Sequence, residues 1–116
     1  MKRSDLCPVE TTTRIAGGRW KGAVLEQLFD GAKRFSELKR SIGGITQRTL
    51  SQHLRELQHA GIVERTVYPD APPRVVYNVT PLGESLRPVL DAMCHWGKSH
   101  AAAMALRKLR ASDRQQ

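Results

Sequence analysis

Two adjacent glycines, Gly43-Gly44, separate two short amphipathic segments near the middle of the chain. The segment before them begins at Ser36, a residue suited to capping a helix N-terminus, and it places Leu38 and Ile42 on one face. The segment after them begins at Thr46, which is equally suited to that position. Because a glycine pair interrupts helical structure, the pattern predicts two short helices joined by a tight turn, as in a helix-turn-helix.

The sequence downstream predicts a β-hairpin. Val63 to Tyr68 and Val75 to Val79 are rich in β-branched and aromatic residues, which favours strands. The connection between them, Pro69 to Arg74, contains three prolines, so it is stiff and cannot join a sheet interior. From Thr80 we expect one long helix, because apolar residues recur at helical spacing. These residues are Leu82, Leu86, Val89, Leu90, Met93 and Trp96.

Two helices are predicted upstream, from Cys7-Pro8 to about Gly17 and from about Trp20 to Leu28, followed by a short extended piece at Arg34-Phe35. This order of elements predicts an α+β fold that is mostly α: a winged helix-turn-helix with a two-stranded wing and a long C-terminal helix for dimerisation. With no repeat or low-complexity linker, residues 1–116 are expected to form a single DNA-binding domain, frayed at 1–6 and 111–116.

Composition narrows the class of protein. The chain has 116 residues, with 19 Lys and Arg against 11 acidic residues, and its net charge of +8 favours a polyanionic partner such as double-stranded DNA. The two cysteines are far apart and the four histidines form no metal-ligand motif, so we expect no disulfide framework, metal or cofactor. No signal peptide and no apolar run of about 20 residues is visible, so we expect a cytoplasmic protein with no membrane segment.

The helix that begins at Thr46 carries the candidate DNA-contacting face. Taking Leu50 as the inward direction, a rotation of about 100° per residue places four residues on the opposite face, namely Arg48, Gln52, Arg55 and His59. Arginine can pair bidentately with guanine and glutamine with adenine in the major groove. The predicted base-reading residues are Thr46, Gln47, Arg48, Ser51, Gln52 and Arg55. The alternative is an ordinary solvated amphipathic helix.

Other polar residues are placed to contact the DNA backbone. Arg34, the backbone at Ser36, and Lys39 are predicted phosphate contacts at the first helix of the motif. Arg74 follows a rigid proline pair and is predicted to enter a minor groove or touch phosphate from the wing. The alternative for Arg74 is an exposed loop charge without a DNA role.

The motifs of this sequence, taken in their order along roughly Cys7 to His100, resemble those of the HxlR family of bacterial winged-helix regulators. The stretches that carry the resemblance are Gly18-Arg19-Trp20-Lys21, Arg34-Phe35-Ser36-Glu37-Leu38-Lys39, Gly44-Ile45-Thr46-Gln47-Arg48-Thr49-Leu50-Ser51, Leu54-Arg55-Glu56-Leu57, Gly61-Ile62-Val63, Pro72-Pro73-Arg74-Val75-Val76-Tyr77, Thr80-Pro81-Leu82-Gly83 and Trp96-Gly97. The resemblance implies a homodimer on a palindromic operator, with the Thr46 helix in the major groove and the wing beside it. The first and last helices carry more apolar residues than the small core can cover. We therefore expect these two helices to form the dimer interface.

Cys7 is a candidate sensor thiol. It occupies the predicted N-cap of the first helix, where unpaired N–H groups and the helix dipole stabilise a thiolate, although Glu10 opposes this. In the resembled family a cysteine at this place serves some members as a redox or electrophile sensor. Two interpretations stay open: a thiol that reacts with an oxidant or other small-molecule effector, and a quiet capping cysteine. For Cys94, Trp20 and Trp96 we expect packing roles.

Two rival functions remain at this level. A winged-helix module can bind protein instead of DNA, but the basic outer face of the Thr46 helix disfavours that interpretation. A thiol enzyme built on Cys7 is disfavoured by the lack of a nearby resolving cysteine or an evident base. The sequence therefore predicts a transcriptional regulator and not an enzyme.

Overall fold

The computed structural model describes residues 7–115, without the side chains of residues 102 and 109–115. In chain order the elements are α1 (Pro8–Ala16), α2 (Lys21–Phe29), α3 (Phe35–Ile42), α4 (Gln47–His59), β1 (Val63–Tyr68), β2 (Arg74–Val79), α5 (Pro81–Glu84) and α6 (Arg87–Gln115). They fall into two compact units, Met1–Ser85 and Leu86–Gln116. The mostly helical winged helix-turn-helix fold is thereby confirmed, whereas the prediction of one domain stays a prediction.

The core of the first unit is built from the inner faces of its helices and the start of the hairpin. Leu50, Leu54 and Leu57 on α4 are buried, which confirms the inward face predicted for this helix. Among residues 7–85, the other buried apolar side chains are Ala16, Val24, Leu25, Leu28, Leu38, Ile45, Ile62 and Val63. Trp20 is only half-buried, so it supports the core from its margin.

The turn between α3 and α4 has the geometry that the double glycine predicts. Gly43 and Gly44 have φ values of 67° and 76°, in the left-handed region that side chains other than glycine rarely adopt. Thr46 then caps α4, since its Oγ1 accepts the N–H of Thr49 at 3.1 Å. Ile45 and Leu50 are both buried on either side of this cap, as expected for a hydrophobic staple.

The start of α3 differs from the prediction. The N-cap is Arg34 and the helix begins at Phe35, so Ser36 lies inside the first turn and does not cap it. The reason is local: the Arg34 N–H donates to Oε1 of Glu37 at 2.8 Å, and Lys33 forms a two-way backbone bridge with Tyr77. The extended piece therefore comprises Lys33 and Arg34: Arg34 is extended as predicted, whereas Phe35 is already helical.

The wing is a two-stranded antiparallel hairpin in which Val63 pairs with Val79 and Tyr68 pairs with Arg74. The second strand begins at Arg74, one residue earlier than predicted, because the register extends through the Tyr68–Arg74 pair. The proline-rich connection thus spans residues 69–73. The hairpin itself, with its long loop, is confirmed.

The long helix predicted from Thr80 is wrong in one respect: it is divided into α5 and α6 at residues 85–86. Pro88 explains the break, because a proline ring clashes with the carbonyl four residues earlier and lacks an N–H for the continuing helix. Proline is tolerated in a first helical turn, and α6 begins at Arg87. The helix then runs through Gly97, which neither ends nor interrupts it.

Most of α6 is exposed in the single chain. Leu90 is buried, but Met93 and Trp96 are 56% and 57% exposed, and Cys94 is exposed as well. The prediction that Trp96 packs in the core is therefore wrong for one chain; its ring stacks instead on His100, with centroids 4.5 Å apart. Fraying was predicted for residues 1–6 and 111–116. Residues 1–6 and 116 lie outside the described residues, and only the helical backbone is described for 111–115, so fraying stays a prediction.

Candidate nucleic-acid interface

The outward face of α4 presents hydrogen-bonding side chains over its whole length. Gln47, Arg48, Gln52 and Arg55 are exposed, and Ser51 is half-buried on the flank. Residues 46–55 contain no acidic residue, so nothing in this stretch repels phosphate. Because the three leucines of α4 are buried on the other side, these five side chains lie together on one accessible surface, as the helical spacing predicts.

Thr46 differs from the other predicted base-reading residues. Its Oγ1 accepts the Thr49 N–H and also lies 2.9 Å from the Thr49 Oγ1. The hydroxyl is thus engaged in holding the first turn of α4, although the residue remains exposed. Thr46 is therefore at the surface, but any contact of its hydroxyl with DNA would have to be made while the same oxygen caps α4.

The predicted phosphate contacts on α3 are accessible. Arg34, Ser36 and Lys39 are all exposed. Ser36 lies within the first turn, where backbone N–H groups have no helical acceptor and can bind an anion, whereas the Arg34 N–H is already taken by Glu37. The shift of the N-cap thus keeps the backbone at Ser36 available.

Arg74 is not the free basic tip that the sequence suggests. It lies at the base of the loop, where its Nε is 3.1 Å from Oδ2 of Asp70 and its guanidinium lies 4.4 Å from the Tyr68 ring centroid. Asp70 and Tyr68 therefore hold the guanidinium on the hairpin. Sequence reasoning missed this cluster, although the strand register that pairs Tyr68 with Arg74 could have indicated it.

Glu56, the acidic residue on the flank of α4, is bound by two bases. His53 Nδ1 lies 3.1 Å from its Oε1, and Lys21 Nζ lies 3.5 Å from its Oε2. The hydrogen bond from His53, helped by the positive charge of Lys21, lowers the pKa of Glu56 below its ordinary value of 4.5 against a smaller opposing effect of burial. The carboxylate is thus ionised at neutral pH and its charge is compensated.

Glu56→Gln is expected to lower the free energy of unfolding at neutral pH by less than about 1 kcal/mol, since the Glu56 side chain is 45% exposed and solvent screens its charge. The pKa of Glu56 is depressed in the folded state, so its contribution is present above the unfolded value and lost as pH falls through the lowered pKa. Urea unfolding at several pH values should therefore show a difference from wild type that shrinks as the pH falls below 4.5 and vanishes once the pH is below the lowered pKa. The exposed Glu26→Gln is the control, and a difference that grows on acidification would contradict the assignment.

An open groove of about 460 Å³ lies beside this ion-pair cluster. Its lining includes Arg14 and Ile15 of α1, Lys21 of α2, and Arg55, Glu56 and His59 of α4. Sequence reasoning missed the groove, because its residues come from three helices and no spacing along the chain brings them together. Arg55 belongs both to this groove and to the outward face of α4.

Cys7 is the N-cap residue of α1, as predicted, and it is exposed with a free thiol. Its side chain makes no capping hydrogen bond, while its carbonyl accepts the Thr11 N–H at 3.1 Å. Cys94 is also free and exposed. Among residues 7–115, His, Cys, Asp and Glu side chains form no cluster of three or more that could hold a metal ion, and no helix there is long and apolar enough to cross a bilayer.

The order of these elements and the polar face of α4 agree with a comparison against protein families. Residues 15–105 match the model of the HxlR-like helix-turn-helix family. The chain belongs to this family. This HxlR-like protein is therefore a transcriptional regulator of the helix-turn-helix type and not an enzyme.

Individual proteins show how close the similarity is. The HTH-type transcriptional regulator YkvN of Bacillus subtilis is 52% identical over 95 residues, covering 82% of this HxlR-like chain and 80% of the relative. The solved structure of the redox regulator HypR in its reduced form superimposes with a TM-score of 0.82 at 43% identity, covering 85% of this chain and 98% of HypR. The structure of diamide-treated YodB from B. subtilis superimposes with a TM-score of 0.71 at 38% identity, covering 82% of this chain and 95% of YodB.

Proposed function

We propose that the chain acts in the cytoplasm as a homodimer that binds a palindromic operator in double-stranded DNA. The outward face of α4 is the observation that carries this proposal. Gln47, Arg48 and Gln52 are exposed in the N-terminal half of α4, which is the part of a recognition helix that contacts bases in a major groove. The leucines on the opposite face are buried, so these polar side chains point away from the core. The net charge of +8 supports a polyanionic partner.

The other side chains have roles that follow from their positions. Gln47, Arg48, Ser51, Gln52 and Arg55 give sequence preference, and Thr46 adds a contact next to its capping role. Arg34, the backbone at Ser36, and Lys39 bind phosphates, and Arg74 acts from the base of the wing loop. Phosphate contacts fix the register on the duplex, while base contacts discriminate between sequences.

Dimerisation is assigned to α1 and α6. In the single chain Val9 on α1 is 71% exposed, and Met93, Trp96 and Met104 on α6 are each more than half exposed. Large apolar side chains that are exposed to this extent on each of the two helices indicate surfaces that a second copy covers. A two-fold dimer would place its two α4 helices about 34 Å apart, one turn of B-DNA.

The proposal is tested by recovering the DNA that the full chain binds from genomic fragments and measuring its affinity across a salt series. We expect a slope of log affinity against log salt of about −0.9 for each phosphate neutralised. Footprinting should show two related half-sites with centres about 10 base pairs apart, and sedimentation should give a dimer. A monomer, or a chain that binds protein at high salt and no DNA, would contradict the proposal.

The exposed N-cap thiol of Cys7 is proposed as a regulatory site. Cys7 is exposed and its side chain makes no capping hydrogen bond, so the sulfur is accessible to a reagent. Two structural neighbours, described as a redox regulator and as a diamide-treated regulator, support a thiol signal. With a quinone, the Cys7 sulfur forms a bond to a ring carbon as the carbon–carbon double bond breaks, and the thiol proton passes to one carbonyl oxygen. The hydrogen on the attacked carbon then moves to the other oxygen, which gives a hydroquinone thioether.

Treatment with p-benzoquinone is expected to change the DNA affinity of the wild-type protein and to leave that of Cys7→Ser unchanged. Cys94→Ser is the matched control, because it removes the other free thiol and should respond like wild type. Mass spectrometry of the adduct and a DNA titration check both points. Equal responses of wild type and Cys7→Ser would show that Cys7 is not the switch.

A further inference from the structure

The groove between α1, α2 and α4 has more basic than acidic side chains in its lining: Arg14, Lys21 and Arg55 against Glu56. Arg14 and Arg55 are exposed at its rim, and neither pairs with a carboxylate among the residues that the structure describes. Lys21 is 14% exposed, and its ammonium contacts Glu56 and the Arg14 carbonyl at 3.4 Å. The single acid of the groove is thus already engaged, which leaves two guanidinium groups to receive an anion.

Apart from the imidazole of His59, the rest of the lining is apolar. Ile15 and Ala60 contribute aliphatic surface, and the stems of the long basic side chains extend it. The volume of about 460 Å³ lies within the range of small-molecule sites, which combine a mostly apolar lining with a few placed polar groups. A ligand that fits must therefore have both an apolar body and a negative group.

We propose that this groove binds a small amphipathic carboxylate. Its carboxylate pairs with the guanidinium groups of Arg55 and Arg14, which suit the planar geometry of that anion, and its apolar body lies against Ile15 and Ala60. A bare inorganic anion would leave the apolar surface uncovered, and a neutral apolar molecule would leave both guanidinium groups unpaired.

Arg55 couples this site to DNA. The same guanidinium faces the groove and belongs to the outward face of α4, so a bound carboxylate removes one cation from the DNA surface and adds a negative charge beside it. Occupancy of the groove therefore lowers DNA affinity. This second part rests on the proposed function, whereas binding of the carboxylate does not.

The test uses the full chain, with 2-naphthoate as the probe and the neutral 2-naphthamide as a control of the same shape. We expect 2-naphthoate to bind with a Kd below about 1 mM by calorimetry. The amide, and the variants Arg14→Ala and Arg55→Ala, should each bind about tenfold more weakly, because a hydrogen bond to a charged group is lost. Arg65→Ala on β1 removes an exposed arginine outside the groove and should bind like wild type.

Three outcomes would overturn the site. Equal binding of the naphthoate and the amide would reduce the groove to an apolar surface, and full competition by sulfate would reduce it to an inorganic anion site. No binding at about 10 mM probe, a concentration far above the expected Kd, would show that a second copy covers the groove or that its cations do not act together. Amide shifts in NMR should centre on Ile15 and Ala60, and shifts centred on α6 would count against the proposal.

A DNA titration with and without 2-naphthoate tests the coupling. The probe should weaken DNA binding, because the carboxylate engages Arg55 and adds a negative charge beside the DNA surface. Probe binding with unchanged DNA affinity would overturn the coupling while leaving the site intact. A chain that binds the probe but no DNA would contradict the proposed function alone.

Discussion

Gly83→Ala is expected to destabilise the first unit by about 1–3 kcal/mol, because no room exists for a side chain at this position. A Cβ on Gly83 would lie against the Ile62 carbonyl oxygen inside any real contact distance and 2.6 Å from Cγ1 of Val79. The Ile62 carbonyl cannot retreat freely, since it accepts the Thr80 N–H at 3.0 Å and the Thr80 hydroxyl at 3.1 Å. The substitution must therefore separate α5 from the turn that follows α4 or break these bonds.

Urea unfolding of the wild type and variant measures this effect. Gly22→Ala is the matched control: Gly22 is also helical, but a Cβ there would meet nothing within 4 Å. Alanine should stabilise that helix by about 0.5–1 kcal/mol, so the two identical replacements should have opposite signs. If both variants shifted the urea midpoint upward, the close packing at Gly83 would be disproved.

The sequence predicts those features of the fold that rest on short-range chemistry. The Gly43-Gly44 turn, the Thr46 cap and the inward leucines of α4 depend on residues a few positions apart, and all were predicted correctly. The division of the last helix was equally local and was missed, because the apolar spacing that continues past Pro88 was given more weight than the proline. Periodicity indicates which face is apolar, whereas the proline decides whether the backbone can continue.

Features that join distant segments were not predictable in this way. Lys33 bridges to Tyr77, which moves the start of α3 and replaces Ser36 as its cap. Arg14 and Arg55, which both line the groove, are 41 positions apart in the chain. Helical spacing shows that Trp96 lies on an apolar face of α6. It does not show whether the same chain or a second copy covers that face, so the 57% exposure of Trp96 in one chain was not predictable. Sequence reasoning therefore found the outward face of α4 but not the pairing of Arg74 or the groove.

Arg48→Ala is expected to weaken binding to the selected DNA site by about 1–3 kcal/mol, or about 5- to 150-fold in Kd. Arg48 is exposed in the first turn of α4, where a base contact would lie, so its loss should also erase the preference at one base-pair position. The measurement is a titration of each protein on the selected site and on a series of its single-base variants.

Lys39→Ala supplies the contrast that identifies the role of Arg48. Lys39 is an exposed cation on α3 and is assigned to phosphate, so its removal should weaken all sites about equally and reduce the salt slope by about 1. If Arg48 contacted only phosphate, the two variants would behave alike on the whole series, and the base-reading assignment would fail. Loss of discrimination at one position with Arg48→Ala, and at none with Lys39→Ala, would assign the guanidinium of Arg48 to a base edge, because a phosphate contact carries no sequence information directly.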